Sequence, residues 1–163
     1  MENKDRAKFF NDDKIIAIDP GKSGGIAVYS LTKNCIIETL KMPETMQDLF
    51  LFFKMYSRNS ICFLERVGGR PGMGGMQMFN FGQNFGHIEM ALMAKEISTV
   101  EVTPQKWQKY FQFGVKGNQT NTQWKNKLKS RAQQLFPKEK IILDTADAVL
   151  IMEYARVTIL QSR

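Results

Sequence analysis

Residues 14–30, KIIAIDPGKSGGIAVYS, decide the fold. Lys14 to Asp19 reads as a short buried strand that ends on a carboxylate, and Pro20, Gly21, Gly24 and Gly25 supply the tight turn after it. Two more strands follow at close spacing, over 25–31 (GIAVYSL) and 34–42 (NCIIETLKM), joined through Thr32, Lys33 and Asn34. That spacing predicts an antiparallel meander of three strands. Pro43 closes the unit, and Met46, Leu49, Phe50 and Phe53 then recur at helical intervals, so 44–57 predicts a helix with one apolar face. Residues 60–65, SICFLE, return to a strand pattern and end on a second carboxylate, Glu65. Three strands, a helix and a strand make a mixed sheet that helices must cover.

Five glycines between Gly68 and Gly75 predict a mobile loop beside Glu65. A helix over about 79–94 carries Phe81, Phe85, Ile88 and Leu92 at helical spacing. Gly82 and Gly86, one turn apart on it, suggest close approach by a sheet, a partner subunit or a DNA strand. ISTVEV at 97–102 is a fifth strand; Thr103 and Pro104 then cap and open a short helix through Trp107 and Phe111. A polar loop spans 114–122, a helix 123–136 places Trp124, Leu128 and Ala132 on one face, and a last helix runs over 144–160. The expectation is one α/β domain over 1–163, a mixed five-stranded sheet flanked by helices, with 1–12 flexible.

Composition narrows the function. Apolar residues make up 43% of the 163 positions, enough for one packed core. Lys and Arg number 23 against 16 Asp and Glu, a formal charge of +7, which points to an anionic partner, most commonly nucleic acid. No apolar run is long enough to cross a membrane, and MENKDRAKFFNDDK lacks the apolar core of a signal peptide, so a cytoplasmic protein is expected. Cys35 and Cys62 sit in strand-like runs and read as reduced core residues. With one histidine, His87, they cannot build a Cys/His zinc site, so any metal must be held by carboxylates.

Those carboxylates are Asp19, Glu65, Asp144 and Asp147. The last two stand three apart at a helix start and share a face. Four acids brought to one end of a sheet repel one another unless cations neutralise them, and oxygen ligands suit Mg²⁺ or Mn²⁺. The blander alternatives are an N-cap for Asp144 and a surface position for Asp147. Two bound cations would support phosphodiester hydrolysis without histidine, cysteine or serine. Arg66, Arg70, Lys106, Lys109, Lys116, Lys125 and Lys127 are candidate phosphate contacts, alongside Lys129 and Arg131 on a helix; part of this set reads equally as solvated helix faces. Phe79 and Phe81, with Met73, Met76 and Met78, read as packing of the helix start or as a wedge between bases. The apolar residues of 81–92 allow a two-fold dimer seam as well as core packing.

Taken in order, IIAIDPGKSGGIAV (15–28), FLERV (63–67), FGQNFG (81–86), TPQKWQKYF (103–111), KNKLKSRAQQLFP (125–137) and DTADAVLIMEYAR (144–156) resemble the RuvC Holliday-junction resolvases, of phage-type flavour, within the ribonuclease H-like superfamily. The resemblance spans nearly the whole chain. It implies a metal-dependent endonuclease acting on branched DNA as a homodimer, with two Mg²⁺ per site (Mn²⁺ substituting) and paired nicks that leave 5′-phosphate and 3′-hydroxyl ends. It puts the catalytic and metal-holding acids at Asp19, Glu65, Asp144 and Asp147. The family's active-site lysines correspond to Lys125 and Lys127, with Lys127 the preferred phosphate contact. If a phage encodes the chain, it would act in the bacterial host's cytoplasm. Three positions depart from the pattern: Leu143 where many relatives carry histidine, Gly68 where cellular members place an aromatic wedge, and Gln108 where lysine is common. They imply structure-selective cutting with relaxed sequence preference, extending to forks or flaps. The competing readings are an RNA–DNA hybrid nuclease of the same fold, an actin-like ATPase or sugar kinase, and a non-catalytic junction-binding protein.

Overall fold

The computed structural model describes residues 13–57, 59–66, 68, 72 and 74–162. The strands are β1 (Lys14–Asp19), β2 (Gly25–Ser30), β3 (Cys35–Lys41), β4 (Ser60–Glu65) and β5 (Ser98–Val102). The helices are α1 (Met46–Tyr56), α2 (Gly75–Ala94), α3 (Pro104–Tyr110), α4 (Asn121–Leu135) and α5 (Leu143–Ser162). They form one mixed five-stranded sheet in the order β3-β2-β1-β4-β5, flanked by helices as the sequence predicts. The meander β1-β2-β3 is antiparallel, whereas β1-β4 and β4-β5 are parallel, because each of those connections passes through a helix.

Alternation along the strands splits the core into two layers. Ile15, Ala17, Ala27, Tyr29, Ile61 and Phe63 face α5, with Trp107 of α3 and Leu128 and Ala132 of α4. Ile16, Ile18, Ile26, Val28, Cys62 and Leu64 face the other way, onto Leu49 and Phe53 of α1 and Ile88 and Leu92 of α2. Helix α5 is buried over most of its length; Ala146, Ala148 and Ala155 let it lie close to the sheet.

Local chemistry fixes the helix starts. The Thr45 hydroxyl accepts from the Asp48 amide at 3.1 Å to cap α1. Thr120 and Gln123 form a reciprocal capping box on α4, with bonds of 3.2 and 2.9 Å.

Several expectations need correction. Helix α2 begins at Gly75, about one turn before the predicted start, so Met76, Met78 and Phe79 are helical and exposed, and Phe79 packs no core. A methyl group placed on Gly82 or Gly86 would meet nothing within 4 Å, so the sheet does not approach there. Cys35 is exposed, at the start of the edge strand β3; only Cys62 is a core residue. Residues 1–12, Arg70 and Met73, and with them the expectation of a flexible N-terminus, lie outside the described residues.

Candidate active site

Register brings the first two acids together. In the parallel β1-β4 pair Ile18 lies opposite Leu64, so the next residue on each strand, Asp19 and Glu65, ends its strand beside the other. Both follow the parity of Ala17 and Phe63, so both emerge on the face that α5 covers. The turn after Asp19 is closed by the Gly24 amide donating to the Gly21 carbonyl at 3.0 Å. Gly25 lets the start of α5 sit against the sheet: a Cβ there would stand 2.6 Å from the Asp144 carbonyl oxygen and 3.2 Å from the Thr145 Cα. That close approach places Asp147, one turn into α5, over the ends of β1 and β4.

Three side chains complete the cluster. Lys125, in the first turns of α4, puts its ammonium 2.8 Å from Asp147 Oδ2 and 3.7 Å from Asp19 Oδ2. Trp107, fully buried on α3, donates its indole N–H to Glu65 Oε1 at 2.8 Å. Asp147 Oδ1 is buried with no hydrogen-bond partner among the described residues.

The electrostatics follow from crowding. Burial, together with the neighbouring Glu65 and Asp147 carboxylates, pushes the Asp19 carboxyl well above the ordinary carboxylate range. Burial raises Glu65 too, while the Trp107 indole and Asp19 oppose that rise. Burial works against the Lys125 charge, but Asp147 and Asp19 outweigh it and hold the ammonium above its usual range.

The structure therefore joins three of the four predicted acids. Asp144 turns to the end of β3, where its carboxylate pairs with Lys41 Nζ at 2.9 Å. It also places Lys125, not Lys127, among the acids. Lys127 donates to the Phe113 carbonyl at 2.8 Å and lies over the Trp124 ring, because two helical positions turn it some 200° away. The cluster opens into a cavity of about 1380 Å³ lined by Asp19, Glu65 and Asp147, by Lys22, Lys109, Lys116 and Lys125, and by Phe81, Gln108 and Val115 among others. Lys109, Lys116 and Lys125 of the predicted basic set line it. Lys106 is exposed elsewhere, and Arg66 is paired with Glu101 at 3.1 Å on the surface. Lys22, Lys41 and the donor role of Trp107 carry no motif in the sequence; the one available signal is that a core indole needs an acceptor.

No protein-family model and no curated protein matches the chain. Solved structures do. The Thermus thermophilus RuvC in complex with a Holliday junction substrate superposes with a TM-score of 0.63 at 12% identity, over 91% of this chain and 97% of that one. A second Thermus thermophilus RuvC structure gives 0.59 at 14% identity, over the same shares. The chain has the RuvC fold.

Within this RuvC fold the acids suit hard cations. Three carboxylates are gathered with one buried oxygen left unpartnered, and an ammonium stands between two of them as a positive charge would. Among the described residues no three His, Cys, Asp or Glu side chains are arranged as a group that could hold a metal ion. Mg²⁺ does not demand one, since it keeps several waters and takes one or two carboxylates. Among the described residues no helix is long and apolar enough to cross a membrane.

Proposed function

We propose that this chain is a divalent-metal-dependent endonuclease that cuts branched DNA, resolving four-way junctions by paired nicks as a homodimer. The observation that carries the reading is the buried Asp19–Glu65–Asp147 cluster, held around Lys125 at the floor of a large cation-lined cavity. Asp19, Glu65 and Asp147 would hold Mg²⁺ or Mn²⁺, while Asp144 stands apart, paired with Lys41. Ions bound there would activate water and neutralise charge on the departing oxygen. Lys125 neutralises part of the charge of the acids, standing 2.8 Å from Asp147 and 3.7 Å from Asp19. Lys22, Lys109 and Lys116 line the approach and would neutralise backbone phosphates, giving salt-dependent affinity with little sequence readout. Phe81 in the cavity wall offers an apolar surface to an unstacked base.

A four-way junction presents two equivalent strands, which suits two copies related by a two-fold axis. The exposed Met76, Met78, Phe79, Met90 and Met93 of α2 offer apolar surface for that contact. The test compares incision of an immobile junction, its matching linear duplex and an RNA–DNA hybrid in Mg²⁺ and in chelator. Metal-dependent cutting of the junction alone supports the reading. Cutting of the hybrid alone transfers the site to the hybrid nuclease, and binding of the junction without cutting in Mg²⁺ or Mn²⁺ leaves a junction-binding protein.

A further inference from the structure

We propose that Trp107 is a positioning residue for Glu65: its indole N–H holds the carboxylate in the orientation the cation site uses and ties it to helix α3. The inference rests on the nuclease reading above.

The contact joins a fully buried tryptophan to a nearly buried glutamate forty-two positions away, at 2.8 Å. An indole nitrogen can only donate, and this donor has only an anion to satisfy it, so the pair is directional and charge-assisted. Its effect is to fix one oxygen of the Glu65 carboxylate. A carboxylate that ligates a cation is commonly oriented in this way, by a neighbour that does not touch the ion.

Helix α3 gives the contact a second consequence. Its Gln105, Gln108 and Lys109 line the cavity, while Trp107 points inward to Glu65. Trp107 is wedged edge-on against Phe113, with ring centroids 6.3 Å apart, and Phe113 leads directly into the cavity-lining segment Gly114–Lys116. One short helix therefore carries part of the surface that would meet DNA and also holds, through Trp107, the β4 carboxylate that would meet the ion. A core tryptophan needs some acceptor for its indole N–H; here that acceptor is a carboxylate of the acid cluster rather than a backbone carbonyl.

The test uses the full chain and the side-chain indole signals of its two tryptophans, Trp107 and Trp124. Trp124→Phe assigns them even if Trp107→Phe does not fold. The Trp107 indole proton is expected to shift on addition of Mg²⁺ alone and to move upfield in Glu65→Gln. A signal that responds to neither overturns the proposal. On junction DNA, Trp107→Phe is expected to lower kcat about tenfold and raise the Mg²⁺ midpoint by a similar factor, with KM for the junction unchanged. Wild-type kcat and Mg²⁺ midpoint in a folded Trp107→Phe overturn it. An indole that responds to Mg²⁺ in a protein that cuts no junction would uphold the positioning role and sink the nuclease reading instead.

Discussion

The ammonium of Lys125 lies 2.8 Å from Asp147 Oδ2, so helix α4 supplies the counter-charge for an acid carried by helix α5. With Asp19 3.7 Å from the same ammonium, the lysine is an internal cation in a pocket of acids. A divalent ion entering that pocket would compete with it.

Replacing the lysine separates the two charges. In Lys125→Met the acids lose their counter-ion, and the metal-free protein is expected to lose stability on the order of 1 kcal/mol. That figure is kept low because the lysine side chain is 37% exposed. The loss amounts to about 2–4 °C in Tm for a domain of this size. Saturating Mg²⁺ should raise the Tm of Lys125→Met by more than that of the wild type, since the competitor is gone. Equal Mg²⁺ shifts in thermal melts of the two proteins would contradict the competition.

The raised Asp19 and Glu65 carboxyls set the pH dependence. Both folded-state values lie above the unfolded ones, so the folded protein holds protons that the unfolded chain releases. Their contribution is present below the unfolded range and is lost as pH rises through the folded values. Asp19→Asn removes the buried charge, so in chelator its Tm advantage over the wild type should widen from acidic to neutral pH, reaching a few degrees. Added Mg²⁺ should narrow or reverse the gap at neutral pH. A gap independent of pH, measured by melts across that range, would mean that Asp19 is not held at a raised value.

The ends of β1 and β4 were legible because each is an apolar run closed by an acid, and a parallel register then leaves Asp19 and Glu65 side by side. Asp147 was legible as part of a helix-start pair, but its partner was not separable from it by spacing. Asp144 is drawn to Lys41, which reaches it only because β3 lies beside the start of α5. The choice between Lys125 and Lys127 depended on the rotation of α4, which its alternating charges do not reveal. Glycine's weak helix propensity hid the start of α2 at Gly75, and Cys35 looked like a core residue because its strand is apolar, although it lies at the sheet edge. The Trp107–Glu65 bond spans two elements and has no local signature.

Gly25 tests how closely α5 must approach. Gly25→Ala would drive a methyl group to 2.6 Å from the Asp144 carbonyl oxygen and 2.8 Å from that of Leu40, all rigid backbone. The expected cost is about 1–3 kcal/mol. Incision by the folded fraction should also fall, because the start of α5 carries Asp147. A variant with wild-type Tm and activity would show that the close contact does not set the position of the site.

The most direct test is a time course on an end-labelled immobile four-way junction in Mg²⁺, with wild type, Asp19→Asn, Glu65→Gln, Asp147→Asn and Asp144→Asn. Binding of each is followed in chelator. Wild type is expected to leave paired nicks near the crossover, and the three clustered-acid variants to leave none while still binding. Asp144→Asn, lying outside the cluster, should retain activity within about 10–100-fold of wild type. Undiminished cutting by Asp19→Asn, Glu65→Gln or Asp147→Asn would contradict the claim that these three carboxylates are the catalytic centre.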